Sequence, residues 1–430
     1  MSLYKKLNFN SNFIYILLFL IILSFIFGFI FDEDSSGGGK IDFIHEYKSF
    51  LEFKNGILPA LTSLNYESSR TPLFLIINSF NIFATDQSSF RFSNFIFNFL
   101  IFFSFFYCLK FQKKFDKNSI LIITCILLLS PYFRSSSYWA HQENLPFLFY
   151  FLTLALLSIW HKNLNNYFYL KISIIAFVSS LSFYSDQKFI FLSFSVFLML
   201  IFSFNLDKLK VFKVFLIFFL SSLPALYLFY IWGGILPKES QFRIGFYNEN
   251  ISSSLSIIAF YFLPIIFLFI KELINKKFIF KLKKIDLIIF LFILIVNVLT
   301  IPNFNSPWGQ GVIYKLFYLL QIKLEIHKYI LIFIYLMFIQ IFIFKIYFLL
   351  RNNLINFIPL LTIILISSLV ERTYNEYFDP LIFVLIFTFF KFDKNFMIDK
   401  KHLIISYGLF YFSFLIFANL YYNYFNLNAV

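Results

Sequence analysis

The sequence predicts an all-α polytopic membrane protein, read as a single multi-pass domain over residues 1–430. Three observations predict it. Of the 430 residues 60% are hydrophobic and only 13% charged, where soluble domains carry about a quarter charged residues. The apolar residues gather in runs long enough to span a bilayer. The basic residues then fall on alternate loops between those runs. With 11 Gly and 11 Pro in the chain, collagen-like, linker-rich and disordered classes are excluded. Cys108 and Cys125 lie inside apolar runs, which excludes a disulfide framework or a thiolate metal site.

Charge-poor runs near 20 residues, the length that a ~30 Å hydrocarbon core demands, give about thirteen spans (11–13). They centre on 13–31, 91–109, 118–134, 144–161, 170–186, 189–206, 214–233, 251–270, 286–303, 329–347, 354–371, 380–397 and 403–422. The weakest are 170–186 and 380–397, the second because Lys391 interrupts it early. The run 13–31 lacks a small-residue cleavage site after it and is expected to stay as a helix. With the N-terminus inside, the loops on that side hold 23 basic and six acidic residues, and all others hold 13 basic and 16 acidic. The net +14 of the chain therefore divides into +17 and −3. That partition is the inside-positive bias of a plasma (inner) membrane protein, and it excludes a nucleic-acid-binding surface. Trp139, Trp160, Trp232 and Trp308 fall at predicted helix ends, as an interfacial belt requires.

The exterior loops carry the chemistry. The first, about 32–71, opens with Asp32-Glu33-Asp34, continues through Gly37–Gly39, and enters an amphipathic stretch, IDFIHEYKSFLEF. Phe43, Ile44, Tyr47, Phe50 and Leu51 share one helical face there, so the stretch is expected to lie in the interface. A second short helix, LFLIINSFNIF, follows Arg70-Thr71-Pro72. Asp42, His45 and Glu46 have i, i+3, i+4 spacing, a weak metal-ligand signal. The hairpin SPYFRSSSYWAHQENLP brings Arg134, His141 and Glu143 into one short turn. Arg70, Lys188 and Arg372 stand at helix mouths, where cations suit a lipid phosphate. Lys238 and Arg243 lie in a loop that is a candidate gate over such a site. No P-loop, GxGxxG, nucleophile elbow or HExxH is present. Charge-free helices argue against an ion-coupled transporter.

The order of these features resembles the GT-C glycosyltransferases, polytopic enzymes that use polyprenyl-phosphate sugars and include protein O-mannosyltransferases and aminoarabinose transferases. An acidic group follows the first helix, and RTPLFLIINSF looks like the proline-led helix that closes the first loop. SSFRFSNFIFNFLIFFSFFYCLKF, the 3–4 hairpin and ERTYNEYFDP are similar to later segments of that family. The chain departs from it in having Asp-Glu-Asp followed by Ser-Ser-Gly-Gly-Gly, and in lacking a soluble C-terminal domain.

The resemblance implies transfer of a sugar from a polyprenyl-phosphate donor to a lipid, glycan or protein acceptor on the exterior face, with inversion. Glu33 or Asp34, with Asp32 as runner-up, is the expected base. Arg70, Lys188 and Arg372 are expected to bind the donor phosphate. Glu143, with His141, is expected to partner the acceptor or a cation, Asp34 and Glu143 being the candidate ligands of Mg²⁺ or Mn²⁺. An envelope polysaccharide polymerase or ligase, or a lipid-linked sugar flippase, is the alternative expectation.

Overall fold

A computed structural model describes residues 11–422 except 69, 165, 205, 275–282, 303, 305–308 and 393–398. The chain is all-helical. The one isolated bridge among the described residues joins Ile244 to Val370. In order the helices are α1 (Ser11–Ile30), α2 (Gly39–Asn55), α3 (Ile57–Ala60), α4 (Leu73–Ser79), α5 (Gln87–Gln112), α6 (Lys117–Leu127), α7 (Pro131–Tyr138), α8 (Leu145–Trp160) and α9 (Phe168–Ser185). They continue with α10 (Ile190–Phe204), α11 (Lys208–Trp232), α12 (Glu249–Ile274), α13 (Lys284–Leu299), α14 (Gly311–Lys323), α15 (Lys328–Leu350), α16 (Phe357–Ser368), α17 (Leu381–Thr388) and α18 (Lys400–Leu420).

Each of the thirteen predicted segments coincides with helix, but not each is one straight span. Eight helices among the described residues are long and apolar enough to cross a membrane, and a ninth arises if the bent pair α6–α7 is one span. That pair breaks by 65° at Ser130-Pro131, where the proline has no N–H to donate and its ring displaces the preceding turn. Ser130 Oγ caps the new helix by accepting from Phe133 N at 3.1 Å. The segment 380–397 yields only the eight residues of α17, every one of them buried. A helix surrounded by protein has no need to match the bilayer thickness. The part of that segment over 393–397 lies outside the described residues, as does Trp308.

Helix α14 lies in what reads as loop in the sequence. It buries Ile313, Tyr314 and Phe317 against Phe304 and against Tyr335 of α15. Helix α2 buries Phe43, Glu46, Phe50 and Phe53, while Ile44 and Leu51 are exposed. The inward face therefore includes a carboxylate, and the single apolar face expected over Phe43, Ile44, Tyr47, Phe50 and Leu51 is split in two. Trp139 and Trp232 sit at helix ends but are buried, and Trp232 Nε1 donates to Leu61 O at 2.9 Å.

In the bundle α8 packs between α5 and α9, and α12 packs against α14, α15, α16 and α18. Helix α18 closes against α6, and α1 lies along α6 and α7. One buried ion pair fixes the end of α1 to the α6–α7 break. Arg134, 2% exposed, donates to Glu33 through Nε at 2.9 Å and Nη2 at 2.6 Å. It also donates to the carbonyls of Ser24 at 2.9 Å and Leu128 at 3.2 Å. Removing one partner of such a pair strands a charge, which costs about 3–5 kcal/mol, whereas removing both for apolar groups is close to neutral. Arg134→Met is thus expected to lower the detergent-solubilised melting temperature sharply, and Arg134→Met with Glu33→Leu to restore most of it. A double variant as unstable as the single one contradicts this account.

Candidate functional site

A polar cavity of about 540 Å³ opens at the end of the bundle that carries α2. Its walls come from α2, a strap carrying Glu67, Ser68 and Arg70, the 141–143 turn, Glu239, Ser240 and Arg243, the 309–315 entry to α14, the 374–377 loop and the end of α18. The strap is tied down by Arg70. Its Nη1 donates to Asp186 Oδ2 at 2.9 Å, and its Nη2 pairs with Glu143 and lies 3.3 Å from Glu376 Oε1. Lys188 Nζ is 3.1 Å from Asp186 Oδ2, and both cations sit over the Tyr377 ring at 5.9 and 5.5 Å. Backbone capping places Asp186, whose Oδ1 accepts from Lys188 N at 3.1 Å.

His141 lies at the back of the cavity. Its Nε2 donates to Gly39 O at 3.0 Å, and its Nδ1 is 3.4 Å from Glu143 Oε2. Burial works against its charge, but Glu143, Asp42 and Glu46 outweigh burial and lift His141 to about 10. Burial likewise opposes the charge of Glu143, yet Arg70 and His141 hold it well below the usual range. Three carboxylates go the other way. Burial, then the charge of Glu143, raises Glu376 to about 7. Burial alone is the main cause that raises Glu46 to about 7. Asp42 is raised as well, again by burial first.

Glu46 is held by one oxygen. Oε1 accepts from Gln142 Nε2 at 3.2 Å and Ser68 Oγ at 3.3 Å, while buried Oε2 and the buried Gln142 Oε1 have no donor. Such orphaned acceptors are costly unless a proton or a ligand hydroxyl meets them. Across the cavity Lys315 Nζ donates to Tyr422 Oη at 3.1 Å and lies over the rings of Tyr421 and Tyr422 at 5.6 and 5.3 Å. Arg243 lines the same opening.

The structure brings Arg70, Lys188, His141 and Glu143 into one cluster, and leaves Asp32, Glu33, Asp34 and Arg372 outside the cavity lining. Asp32 pairs with Arg91 at 2.6 Å, and Glu33 with Arg134. Asp34 is a turn carboxylate. It accepts from the amides of Gly37, Gly39 and Lys40 at 3.1, 3.1 and 3.2 Å, and from Ser36 and Ser135 at 3.1 Å. Arg372 lies 3.7 Å from its neighbour Glu371. Lys238 also lies outside the lining, and His45 and Lys48 both pair with Glu67.

The expected Mg²⁺ or Mn²⁺ ligands do not fit a metal. Both oxygens of Asp34 accept hydrogen bonds, and those of Glu143 are taken by Arg70, Ser136 and His141. Among the described residues no group of three or more His, Cys, Asp and Glu is placed to hold a metal ion. Compared with known proteins, the chain matches no family model, no characterised protein and no solved structure.

The raised carboxylates carry a stability signature. Between 4.5 and about 7 the folded protein retains protons on Glu46 and Glu376 that the unfolded chain has released. His141 does the same between 6.5 and about 10. Stability contributed by these groups is full below the lower value and is lost as pH rises through each window. The melting temperature is expected to fall from pH 5 to pH 8, and Glu46→Gln to flatten the lower part of that slope. A pH-independent melting temperature in the wild-type protein contradicts these assignments.

Proposed function

We propose that the protein is an integral membrane glycosyltransferase that moves a sugar from a polyprenyl-phosphate donor to an acceptor hydroxyl on a lipid, glycan or protein, with inversion, at this cavity. The observation that carries the reading is the pairing of Glu46, a first-loop carboxylate raised to about 7, with the cations Lys315 and Arg243 in one tyrosine-walled opening. Inverting transfer needs those two things: a carboxylate to take the acceptor proton, and positive charge to receive the departing phosphate. In the step, the acceptor oxygen attacks the anomeric carbon and its proton passes to the base. The bond to the lipid phosphate breaks with its electron pair on the phosphate oxygen.

The base is sought among the first-loop acids that line the cavity. Asp42 and Glu46 do so and both are raised by burial, Glu46 to about 7, whereas Glu67 is lowered by Lys48 and His45. Asp32, Glu33 and Asp34 are spent on ion pairs and turn amides. Arg70 is ringed by three carboxylates and positions them, and the phosphate is assigned to Lys315 and Arg243, which line the same opening. The tyrosines offer flat faces for a sugar ring. The inside-positive charge partition of the loops supports the reading that this end of the bundle faces the exterior.

A general base contributes on the order of 10²–10⁴-fold in rate. With purified protein in vesicles and a panel of polyprenyl-monophosphate sugars, at least one of Glu46→Gln and Asp42→Asn is expected to lower turnover by that factor while remaining folded. Full turnover in both variants contradicts the reading. So does movement of donor across the vesicle with no glycosidic bond formed.

A further inference from the structure

A second space lies outside the polar site. It is an apolar groove of about 940 Å³ along the outer side of α1, α6 and α18, at the upper end of the ~300–1,000 Å³ typical of ligand pockets. Its body is almost wholly aliphatic: Leu17, Ile21, Ile122, Ile126, Ile404 and Ile416 are representative. Its two ends are polar, with Asp116 and Lys401 at one and Glu33, Arg134 and Asn419 at the other. From Lys401 to Leu420 the α18 wall runs about 28 Å at 1.5 Å per residue, close to the ~30 Å hydrocarbon core.

The end at Asn419 abuts the polar cavity. Along α18, Asn419 and Leu420 line the groove, and the next two residues, Tyr421 and Tyr422, line the cavity. Along the turn after α1, Glu33 lines the groove, and Ser36 and Gly37 line the cavity. Tyr422 packs on Gly37 where the two spaces approach, close enough that a side-chain carbon on Gly37 would overlap the tyrosine ring. The Lys315 ammonium lies just past that contact, on the Tyr422 hydroxyl.

We propose that the groove between α1, α6 and α18 holds the isoprenoid tail of a polyprenyl phosphate, whose head turns over the Gly37–Tyr422 contact to place its phosphate at Lys315. This rests on the transferase reading and names where its lipid lies. The occupant follows from the shape and the charge. A linear apolar chain of membrane length fits the body, and the Lys315 ammonium, held on Tyr422 three residues past Asn419, suits an anionic head.

Gly408 provides the test because it sits in the groove wall at the middle of α18. A methyl group there meets Ile126 at an ordinary 3.7 Å, so Gly408→Ala fits, while the indole of Gly408→Trp fills the groove. The probe is a polyprenyl monophosphate carrying a diazirine in its tail, added to the full-length protein in phosphatidylcholine vesicles, with adducts mapped by mass spectrometry. Labelling is expected on α1 and α18, reduced at least tenfold by Gly408→Trp, retained in Gly408→Ala, and not displaced by excess phosphatidylcholine. The wild-type map is informative even if Gly408→Trp fails to fold. Labelling on other helices that Gly408→Trp leaves unchanged overturns the groove assignment and spares the transferase reading. Labelling of the groove by a photoreactive phosphatidylcholine, with none from polyprenyl phosphate anywhere, overturns both.

Discussion

The site depends on the burial of Arg70. Its guanidinium collects Glu143 from the turn before α8, Asp186 from the end of α9 and Glu376 from the loop before α17. Those partners are separated from it by 73, 116 and 306 residues. The pairing draws the strap that carries Glu67, Ser68 and Arg70 onto the bundle beside α2, whose inward face carries Glu46. A charge this buried is tolerable only when its partners are complete. The partners here are more than complete. Arg70 and Lys188 face three carboxylates, and Asp42 and Glu46 add two more nearby. Burial is the main reason that Glu376 and Glu46 are lifted, with the charge of Glu143 adding to it, while Glu143, the acid closest to both Arg70 and His141, is lowered by those two cations against its own burial.

Much of the fold is legible in the sequence because a bilayer leaves few options for an apolar run. Segments such as 214–233 and 329–347 become the single long helices α11 and α15. What the pattern misses is protein-buried helix. α17 is short because neighbours, not lipid, surround it, and hydropathy does not distinguish the two solvents. The break at Pro131 is a local steric event inside an otherwise even run. α14 escapes notice because Lys315, Gln321 and Lys323 interrupt its apolar residues, although its inward face is intact.

The site is legible in part. Arg70, Lys188, His141 and Glu143 attract attention as charges at helix mouths of a charge-poor chain, and they do meet. Their partners Asp186 and Glu376 stand beside noticed residues in YSDQK and ERTYNEYFDP, but long-range pairing has no local signature. The three consecutive acids after α1 mislead for a physical reason. A helix end, a tight glycine turn and a buried arginine all need anionic acceptors, and Asp34 and Glu33 meet those needs. Glu46 is hidden because helical spacing groups it with Asp42 and His45, while burial groups it with Gln142 and Ser68.

The central claim is that a lipid-phosphate sugar is read at the polar cavity under α2. The most direct measurement is a structure of the protein in a lipid nanodisc with a polyprenyl-monophosphate sugar bound. The account predicts the sugar between α2 and the 374–377 loop, with its phosphate beside Lys315 and Arg243. A head group bound at the opposite end of the bundle, beside Asp116 and Lys401, contradicts it.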